Sequence, residues 1–368
     1  MKNMNKALFL AWLVIYTFPI QTAFSQNTST GSVSLKIPPA PDNPRNSEGD
    51  FATLKDGSIL FIYTRFTGKS ASDYAAAYLV SRTSSDGGKT WSKDDRLVVE
   101  NEGGMNIMSV SLLRLKSGKL ALFYLRKNSV YDCKPMMGIS SDEGKTWGKP
   151  SSCIDRTEYY VLNNDRVIQL KSGRLLMPVA LHKTERGKDD INQQGMLYCY
   201  YSDDEGKSWQ PSAQVRNNSK MITQEPGVIE LKDGRVMMFA RTDSGVQQVC
   251  YSKDKGKTWS DIEPSKIASP VSPASIARIP ATGDLLLVWN NNDGSIPATK
   301  GKRTPLTTAV SKDDGKTWEH LKNIEEDPSG SFCYTAIHFT KNDVLLAYFD
   351  WATTQITIRN LETKALYK

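Results

Sequence analysis

The sequence has few of the residues that mark several common kinds of site. Its five cysteines are an odd number and include no C-x-x-C spacing, so a zinc site is not supported. No block of basic residues stands out, which argues against a nucleic-acid partner. After residue 26 no apolar run approaches the length of a membrane span. We therefore predict no metal, organic cofactor, nucleic acid or membrane insertion for the mature chain.

The amino terminus has the composition of a secretory signal. Lys2 and Lys6 precede an apolar run over residues 7–20, and small residues follow it. We predict that residues 1–26 are removed on export, and that residues 27–368 form one secreted or periplasmic domain because no linker divides them. Without the two signal lysines, the net charge of +7 falls by two, and this mildly basic balance suits an anionic ligand.

Export to an oxidising compartment would allow a disulfide. Cys133 and Cys153 are the first candidates for such a pair, with packed free thiols as the alternative.

One eight-residue phrase, S-x-D-x-G-K-[ST]-W, occurs five times, at residues 84–91, 140–147, 202–209, 252–259 and 311–318. Internal repeats at periods of 50 to 62 residues are typical of solenoids and propellers. In each copy the aspartate is suited to accept backbone hydrogen bonds, the glycine permits positive φ, and the tryptophan provides an anchor in a core. We interpret the phrase as a structural turn, an Asp-box, with no chemistry of its own.

A second repeat lies between the boxes and consists of a turn followed by a β-rich apolar run. It occurs six times, with turns at residues 54–57, 115–118, 170–173, 231–234, 280–283 and 340–342. The pattern predicts an all-β fold, a six-bladed β-propeller with five Asp-box turns. The strand pattern at residues 32–37 is predicted to pair with the last blade, because an open ring would expose strand edges.

The spacing of the two repeats predicts which end of the blades carries function. From box to next turn the distance is 29 to 32 residues, but from turn to next box it varies between 20 and 31. In a four-stranded meander the boxes and these turns share one end, so the variable segments lie at the other. Variable connections at one end mark it as the end that is free to carry a site.

Polar residues collect about eight positions from each turn, where a strand of ordinary length reaches that other end. They are Arg45, Glu48, Asn106, Ser109, Asn164, Asp165, Arg166, Glu225, Ser275 and Tyr334 before the turns, and Arg65, Arg126, His182, Arg241, Asn290 and Asp350 after them. Asp73 and Arg303 lie in the longer connections. Any one arginine could form a structural salt bridge, but the set together predicts a site for a small polar, anionic ligand.

Two segments resemble a known family. The sequence EPGVIEL at residues 225–231 followed by Arg241, and the sequence CYTAI at residues 333–337, resemble the sialidases (neuraminidases), whose six-bladed propellers carry Asp-boxes. The resemblance covers essentially the whole mature chain. Asp-boxes alone do not imply activity, because non-enzymatic proteins also carry them.

The resemblance implies roles for individual residues. Tyr334 matches the nucleophile, Glu225 its base, and Asp73 the acid/base of the family. Arg241 and Arg303 match two arginines of a triad that binds the substrate carboxylate.

The first arginine of the triad departs from the pattern. Where the family has Arg-Ile-Pro, this chain has Pro-Arg-Asn-Ser-Glu at residues 44–48, which places Arg45 about two residues further from the turn than expected. The further polar candidates for substrate binding are not explained by the family pattern: Arg65, Arg126, Asn164, Asp165, Arg166, His182 and Glu48.

These observations predict an exported glycoside hydrolase, a retaining exo-α-sialidase that releases terminal sialic acid or a similar acidic sugar from glycans. Two alternatives stay open at this point. One is a hydrolase or lyase that acts on another anionic polysaccharide, with His182 or Asp165 as its base. The other is a carbohydrate-binding propeller without catalysis, against which the joint presence of Tyr334, Glu225 and Asp73 argues.

Overall fold

The apolar runs bounded by glycine turns form antiparallel strands, as the repeats predict. The protein is described here by a computed structural model that covers residues 31–184 and 191–368, so the predicted signal at residues 1–26 lies outside the described residues. Within those two ranges the one helix is a short 3-10 turn at Thr363–Tyr367, and no helix is long and apolar enough to cross a bilayer.

The strands of the described residues fall into six successive groups. After β1 (Ser32–Ile37), the first group contains β2 (Asn46–Thr53), β3 (Ile59–Phe66), β4 (Ala77–Ser84) and β5 (Arg96–Val99). The second contains β6 (Asn106–Arg114), β7 (Leu120–Ser129), β8 (Asp132–Ser140) and β9 (Ser151–Ser152). The third contains β10 (Tyr159–Val161), β11 (Ile168–Gln169), β12 (Leu175–His182), β13 (Met196–Ser202) and β14 (Gln210–Pro211).

The remaining three groups have the same order along the chain. The fourth contains β15 (Thr223–Glu230), β16 (Val236–Thr242), β17 (Val246–Ser252) and β18 (Glu263–Ala268). The fifth contains β19 (Ser275–Arg278), β20 (Leu285–Asn290), β21 (Leu306–Ser311) and β22 (Glu319–Glu325). The sixth contains β23 (Phe332–Phe339), β24 (Asp343–Asp350) and β25 (Gln355–Glu362).

Each group is a meander in which neighbouring strands pair antiparallel. The second and third groups are joined into one nine-stranded sheet, because β10 pairs with β12 and also makes a single parallel pairing, Tyr159 with Cys133, to β8. β1, near the start of the described residues, pairs antiparallel with β25 of the sixth group, with Ile37 opposite Ile356. The predicted pairing of the amino-terminal strand with the last strands is therefore confirmed.

In the part of the chain that the structure describes, six apolar clusters lie between neighbouring groups and hold them together. One joins the first and second groups, and the next four join each later pair in turn. The sixth cluster packs Ile59 and Phe61 of the first group against Leu345 and Ile358 of the last. Each fully buried side chain of this size contributes roughly 1.5 to 3 kcal/mol, so the six interfaces stabilise the fold.

The five repeated turns share one hydrogen-bond pattern. In the second of them Ser140 Oγ donates to Asp142 (2.8 Å), and Asp142 accepts from the backbone N–H of Thr146 (2.9 Å). The equivalent bonds recur in the other four, and the five tryptophans pack against apolar clusters. Gly144 has φ +76°, and a Cβ there would lie 2.8 Å from Leu60, so glycine is required.

These turns and the hairpin turns occupy one end of the sheets, which we call the turn end. In the fourth group Ser252, which begins a repeated turn, pairs with Val236, whereas Arg241 pairs with Gln224 at the opposite end of the strand. This confirms the predicted separation of the repeated turns from Arg241. We call the opposite end of the sheets the cavity end.

The cysteines correct one expectation. All five are buried free thiols, so the alternative of packed free thiols is confirmed and the suggested Cys133–Cys153 disulfide is wrong. Burial raises the pKa of the Cys133 thiol to about 12, which keeps it protonated. Both cysteines belong to the apolar cluster between the second and third groups, and their role is packing.

Candidate active site

The first strand of several groups has a bulge near its start, at the cavity end. Five residues have positive φ there: Glu48 (52°), Ser109 (63°), Asp165 (53°), Glu225 (47°) and Tyr334 (56°). The strand register shifts at four of these positions. Such a conformation costs a residue with a side chain roughly 1 to 3 kcal/mol, and it recurs at functional sites.

Four of the five bulge residues line a cavity of about 370 Å³, a size that suits a single sugar ring. Its polar lining residues are Glu48, Asp73, Tyr74, Ser109, Lys127, Tyr159, Asn163, His182, Gln193, Gln224, Glu225, Arg241, Arg303 and Tyr334. The cavity brings together the three predicted catalytic residues and two of the three predicted triad arginines.

Tyr334 and Glu225 form the central pair of the site. The Tyr334 hydroxyl donates to Glu225 Oε1 (3.2 Å), and Arg241 Nη1 donates to Glu225 Oε2 (2.8 Å). Burial alone would raise the pKa of Glu225, but Arg241, Arg303 and Arg166 outweigh it and hold that pKa below its usual value. The carboxylate is therefore ionised and able to accept a proton from the phenol.

The phenol itself is far from ionisation. Burial and the neighbouring Glu225 charge raise the pKa of Tyr334 well above 10. The Arg303 guanidinium lies 5.7 Å from the centre of the Tyr334 ring and opposes this shift. A phenolate that forms at Tyr334 would thus be stabilised by Arg303 and Arg241.

Asp73 enters the cavity from the connection between β3 and β4. Its carboxylate accepts a hydrogen bond from Arg45 Nη1, and its backbone carbonyl accepts one from Lys127 Nζ (2.9 Å). Burial opposes ionisation, but Arg45, Lys127 and Arg303 hold the pKa of Asp73 below its usual value. The Asp73 side chain keeps 49% of its exposure, so it lies within reach of a bound ligand and of water.

Glu48 is a third carboxylate in the cavity wall. Its Oε1 accepts from Arg45 Nη2 (2.9 Å), and its Oε2 accepts from Ser109 Oγ. Burial raises the pKa of Glu48 above its usual value, Arg45 opposes the shift, and the Asp73 and Glu225 charges reinforce it. Glu48 therefore gains a proton more readily than its two acidic neighbours.

The other predicted residues divide between the cavity and its surroundings. His182 lines the cavity, and Nδ1 lies 2.8 Å from the carbonyl oxygen of Asn192. Burial lowers the pKa of His182, which favours the neutral ring. Arg45 does not line the cavity, because it lies behind Asp73 with no exposed surface.

Arg65 and Arg126 do not line the cavity, contrary to the sequence prediction. Arg65 donates to Asp95 (2.9 Å) in a separate surface groove. Side chains alternate along a strand, and both arginines lie eight residues after a turn glycine, whereas Arg241 lies seven after its own. Lys127, nine residues after its turn, faces the cavity in place of Arg126 and was missed for the same reason.

Asn164, Asp165 and Arg166 lie beneath the cavity and do not line it, although they were predicted to bind substrate. Asn164 Nδ2 donates to the backbone carbonyl of Tyr334 (3.0 Å), and the Asp165 carboxylate accepts from the N–H of Ile337 (2.9 Å). Arg166 Nη2 donates to the carbonyl of Ala274 (2.7 Å). These residues of the third group hold the backbone of the fifth and sixth groups in place.

The fold and the cavity define a class: an all-β protein with a sugar-sized site built from a tyrosine–carboxylate pair and two arginines. The model of the BNR repeat-like domain matches residues 107–346, and the chain belongs to that family. The resemblance to the sialidase family with BNR repeats is thereby confirmed.

Individual proteins of known structure or curated sequence agree with this assignment. A sialidase from Bacteroides fragilis is 26% identical over 245 residues, which are 63% of this chain and 42% of the relative. A sialidase from Clostridium perfringens is 30% identical over 240 residues, 57% of this chain and 59% of the relative. The chain thus spans about half the length of these curated relatives. The solved structure of a Hadza microbial sialidase covers 88% of this chain and 67% of its own, with a TM-score of 0.73 and 19% identity, and shows a common fold.

Proposed function

We propose that the protein is an exported glycoside hydrolase, a retaining exo-α-sialidase that removes a terminal sialic acid, or a closely similar acidic sugar, from glycans. The observation that carries the proposal is the pair of Tyr334 and Glu225. A phenol hydrogen-bonded to an ionised carboxylate, between two arginines and inside a sugar-sized cavity, has the parts of a nucleophile and its base.

The proposal also includes a closed six-bladed propeller and export from the cell. The six strand groups would be the blades of one six-bladed propeller domain over residues 27–368, with the five repeated turns as its Asp-boxes. The chain of six apolar clusters, the last of which joins the sixth group to the first, supports this arrangement. Export would follow from the predicted signal at residues 1–26.

Charge explains why a tyrosine suits this reaction. A sialoside carries its carboxylate on the anomeric carbon, so a carboxylate nucleophile would approach against like charge, whereas a neutral phenol avoids the repulsion. In the first step the Tyr334 oxygen attacks the anomeric carbon and passes its proton to Glu225. The bond to the leaving oxygen breaks as Asp73 gives that oxygen a proton.

The second step regenerates the enzyme. Asp73, now ionised, removes a proton from a water that attacks the same carbon, the bond to Tyr334 breaks, and Glu225 returns the proton to the phenol. Two displacements retain the anomeric configuration. Arg45 keeps the pKa of Asp73 low in the free protein. A bound substrate would raise that pKa, because it excludes water and adds a second carboxylate charge.

A fluorogenic sialoside assay, run beside uronates and neutral glycosides, tests the proposal. We expect turnover of the sialoside alone, and NMR of the first-formed sugar should show retention. Turnover of a uronate instead would favour an enzyme for another anionic polysaccharide. Tight binding of sialic acid without turnover would favour a carbohydrate-binding propeller, and an inverted product would rule out the route through Tyr334.

A further inference from the structure

All five N–H donors of Arg45 are used inside the protein. Nε and Nη2 donate to Ser47 Oγ (3.2 and 3.0 Å). Nη2 also donates to Glu48 (2.9 Å). Nη1 donates to the carbonyl of Ala71 (3.2 Å) and to the Asp73 carboxylate. Because a guanidinium has five such donors, none remains for a ligand.

The faces of the same guanidinium are also covered. Its carbon lies 4.4 Å from the centre of the Phe66 ring, 4.3 Å from that of Trp351 and 5.0 Å from that of Phe349. The residue has 0% of its surface exposed. Cation–π contacts with desolvated aromatic rings add to the cost of moving Arg45 out of this position.

Arg241 and Arg303 differ from Arg45 in each of these respects. Both line the cavity, and Arg241 commits Nη1 to Glu225 while its buried Nε has no hydrogen-bond partner within the described ranges. Arg303 donates Nη1 to the sulfur of Cys333 (3.1 Å), which is a weak acceptor. These two arginines therefore have donors to offer to an anionic ligand.

We infer that Arg45 is a positioning residue that holds Glu48 and Asp73 side by side in the cavity wall. The anionic group of the substrate is bound by Arg241 and Arg303, without the third arginine that the family resemblance implies. The inference rests on the proposed function, because it assigns substrate binding to Arg241 and Arg303 and positioning to Arg45 within that site.

The hydrogen bond from Arg45 to Asp73 affects both the position and the proton affinity of this carboxylate. The hydrogen bonds from Arg45 to the Ala71 carbonyl and to Asp73 fix the short loop segment that carries Asp73. They hold the Asp73 side chain in the cavity wall. Loss of Arg45 frees the loop and leaves two acidic side chains without their shared counter-charge. The proton affinity of Asp73 then rises, and the loop loses its fixed geometry.

Binding measurements separate a positioning arginine from a ligand. The probes are N-acetylneuraminic acid and its carboxyl-reduced alcohol, titrated by calorimetry into the full protein. We expect Arg241→Met to lower the preference for the acid roughly 10- to 100-fold, the value of a charge-assisted hydrogen bond. Arg45→Lys and Arg45→Met should keep that preference within about twofold and lower kcat. An equal loss of preference in the Arg45 variants would overturn the inference.

A control is available in Arg359, a buried arginine on β25 that is paired with Glu325 (2.6 Å) outside the cavity. Arg359→Met reports the general cost of removing a buried arginine. It should change stability but neither the preference for the acid nor kcat.

A second readout does not depend on the sugar. Carbon-13 NMR of labelled aspartate follows the Asp73 carboxyl, whose titration should move upward in Arg45→Met and stay unchanged in Arg359→Met. If Arg45→Met does not fold, Arg45→Gln, which removes the charge but keeps a polar side chain, replaces it. If the wild-type protein binds neither probe, the proposed function fails, and the Asp73 titration still decides the role of Arg45. An unmoved Asp73 titration overturns that role.

Discussion

Carboxylates at the two ends of the sheets are held in different ways. At the turn end Asp142 accepts hydrogen bonds from Thr146 and Ser140, all within its own turn, and the bonds from Thr146 in particular lower its pKa to about 2. At the cavity end the two oxygens of Glu225 accept from Arg241, 16 positions away, and from Tyr334, 109 positions away.

The difference explains why one end repeats and the other does not. All partners of a turn aspartate lie within its own eight-residue turn, so the same turn can form at five places in the chain. A residue whose partners come from other strand groups depends on all of them, and the five positive-φ positions at the cavity end do not carry one repeated side chain. Accordingly hydrogen bonds within their own turns lower the pKa values of the five repeated aspartates, Asp86, Asp142, Asp204, Asp254 and Asp313. Burial and distant charges move the pKa of Glu48 up and that of Glu225 down.

The largest expected effect comes from breaking the pair at the cavity end. Tyr334→Phe keeps the ring beside Arg303 and removes only the phenol oxygen, the proposed nucleophile, so kcat should fall by roughly 10³-fold or more. Steady-state kinetics with a fluorogenic sialoside measures this fall. Tyr63→Phe is the matched control, because this buried hydroxyl also donates to a carboxylate, Asp95 (2.6 Å), but lies outside the cavity. A Tyr334→Phe protein with undiminished kcat would reduce Tyr334 to a packing residue.

A smaller effect should appear in the pH dependence of binding. Glu48 is neutral below its raised pKa and negative above it, so an anionic substrate meets an additional negative charge as pH rises through that value. KM of the wild-type protein should therefore increase roughly fivefold over this interval. Glu48→Gln stays neutral at every pH and should remove the increase. A rise in KM that persists in Glu48→Gln would assign the titration to another group.

The smallest effect is expected at the turn end. Asp204→Ala removes an acceptor for Ser208 N–H (2.9 Å) and Oγ (2.6 Å), and should lower the free energy of unfolding by about 1 to 2 kcal/mol near neutral pH. The pKa of Asp204 falls from 3.8 to about 2 on folding, so its contribution is present above pH 4 and is lost as pH falls toward 2. Urea denaturation at several pH values measures the loss of unfolding free energy and its dependence on pH. The kcat of the folded variant should be unchanged, and a large loss of kcat would show that the two ends are coupled.

The same division explains what the sequence could predict. The strand order, the hairpin turns and the placement of Glu225, Tyr334 and Arg241 at one end follow from local spacing, because turn residues and strand lengths act over a few positions. The errors at Arg65 and Arg126 arose because a count of about eight residues cannot separate the two faces of a strand.

Local spacing could not predict the roles of residues such as Asn164 and Arg45, which hold other parts of the site in place. Asn164 was predicted as a substrate ligand, but its partner is a backbone carbonyl 170 positions away. The burial of Arg45 depends on Phe66, Trp351 and the loop that carries Asp73, which come together only in the folded chain. A polar residue at the right end of a strand has the same appearance in sequence whether it touches the ligand or the strand beside it.

The hydrogen bond from Asn164 to the Tyr334 carbonyl, together with the pairing of β1 with β25, bears on how the molecule is made. Both contacts join parts of the chain that are far apart in sequence, 170 positions for Asn164 and Tyr334 and more than 300 for the two strands. Contacts of such long range form late and slowly, because the entropy of closing the loop is lost before they stabilise anything. A nascent chain that stops before β23 lacks Tyr334, and one that lacks β1 leaves β25 without that partner. If the proposed function holds, activity should therefore appear only after β25 has been synthesised and has paired with β1.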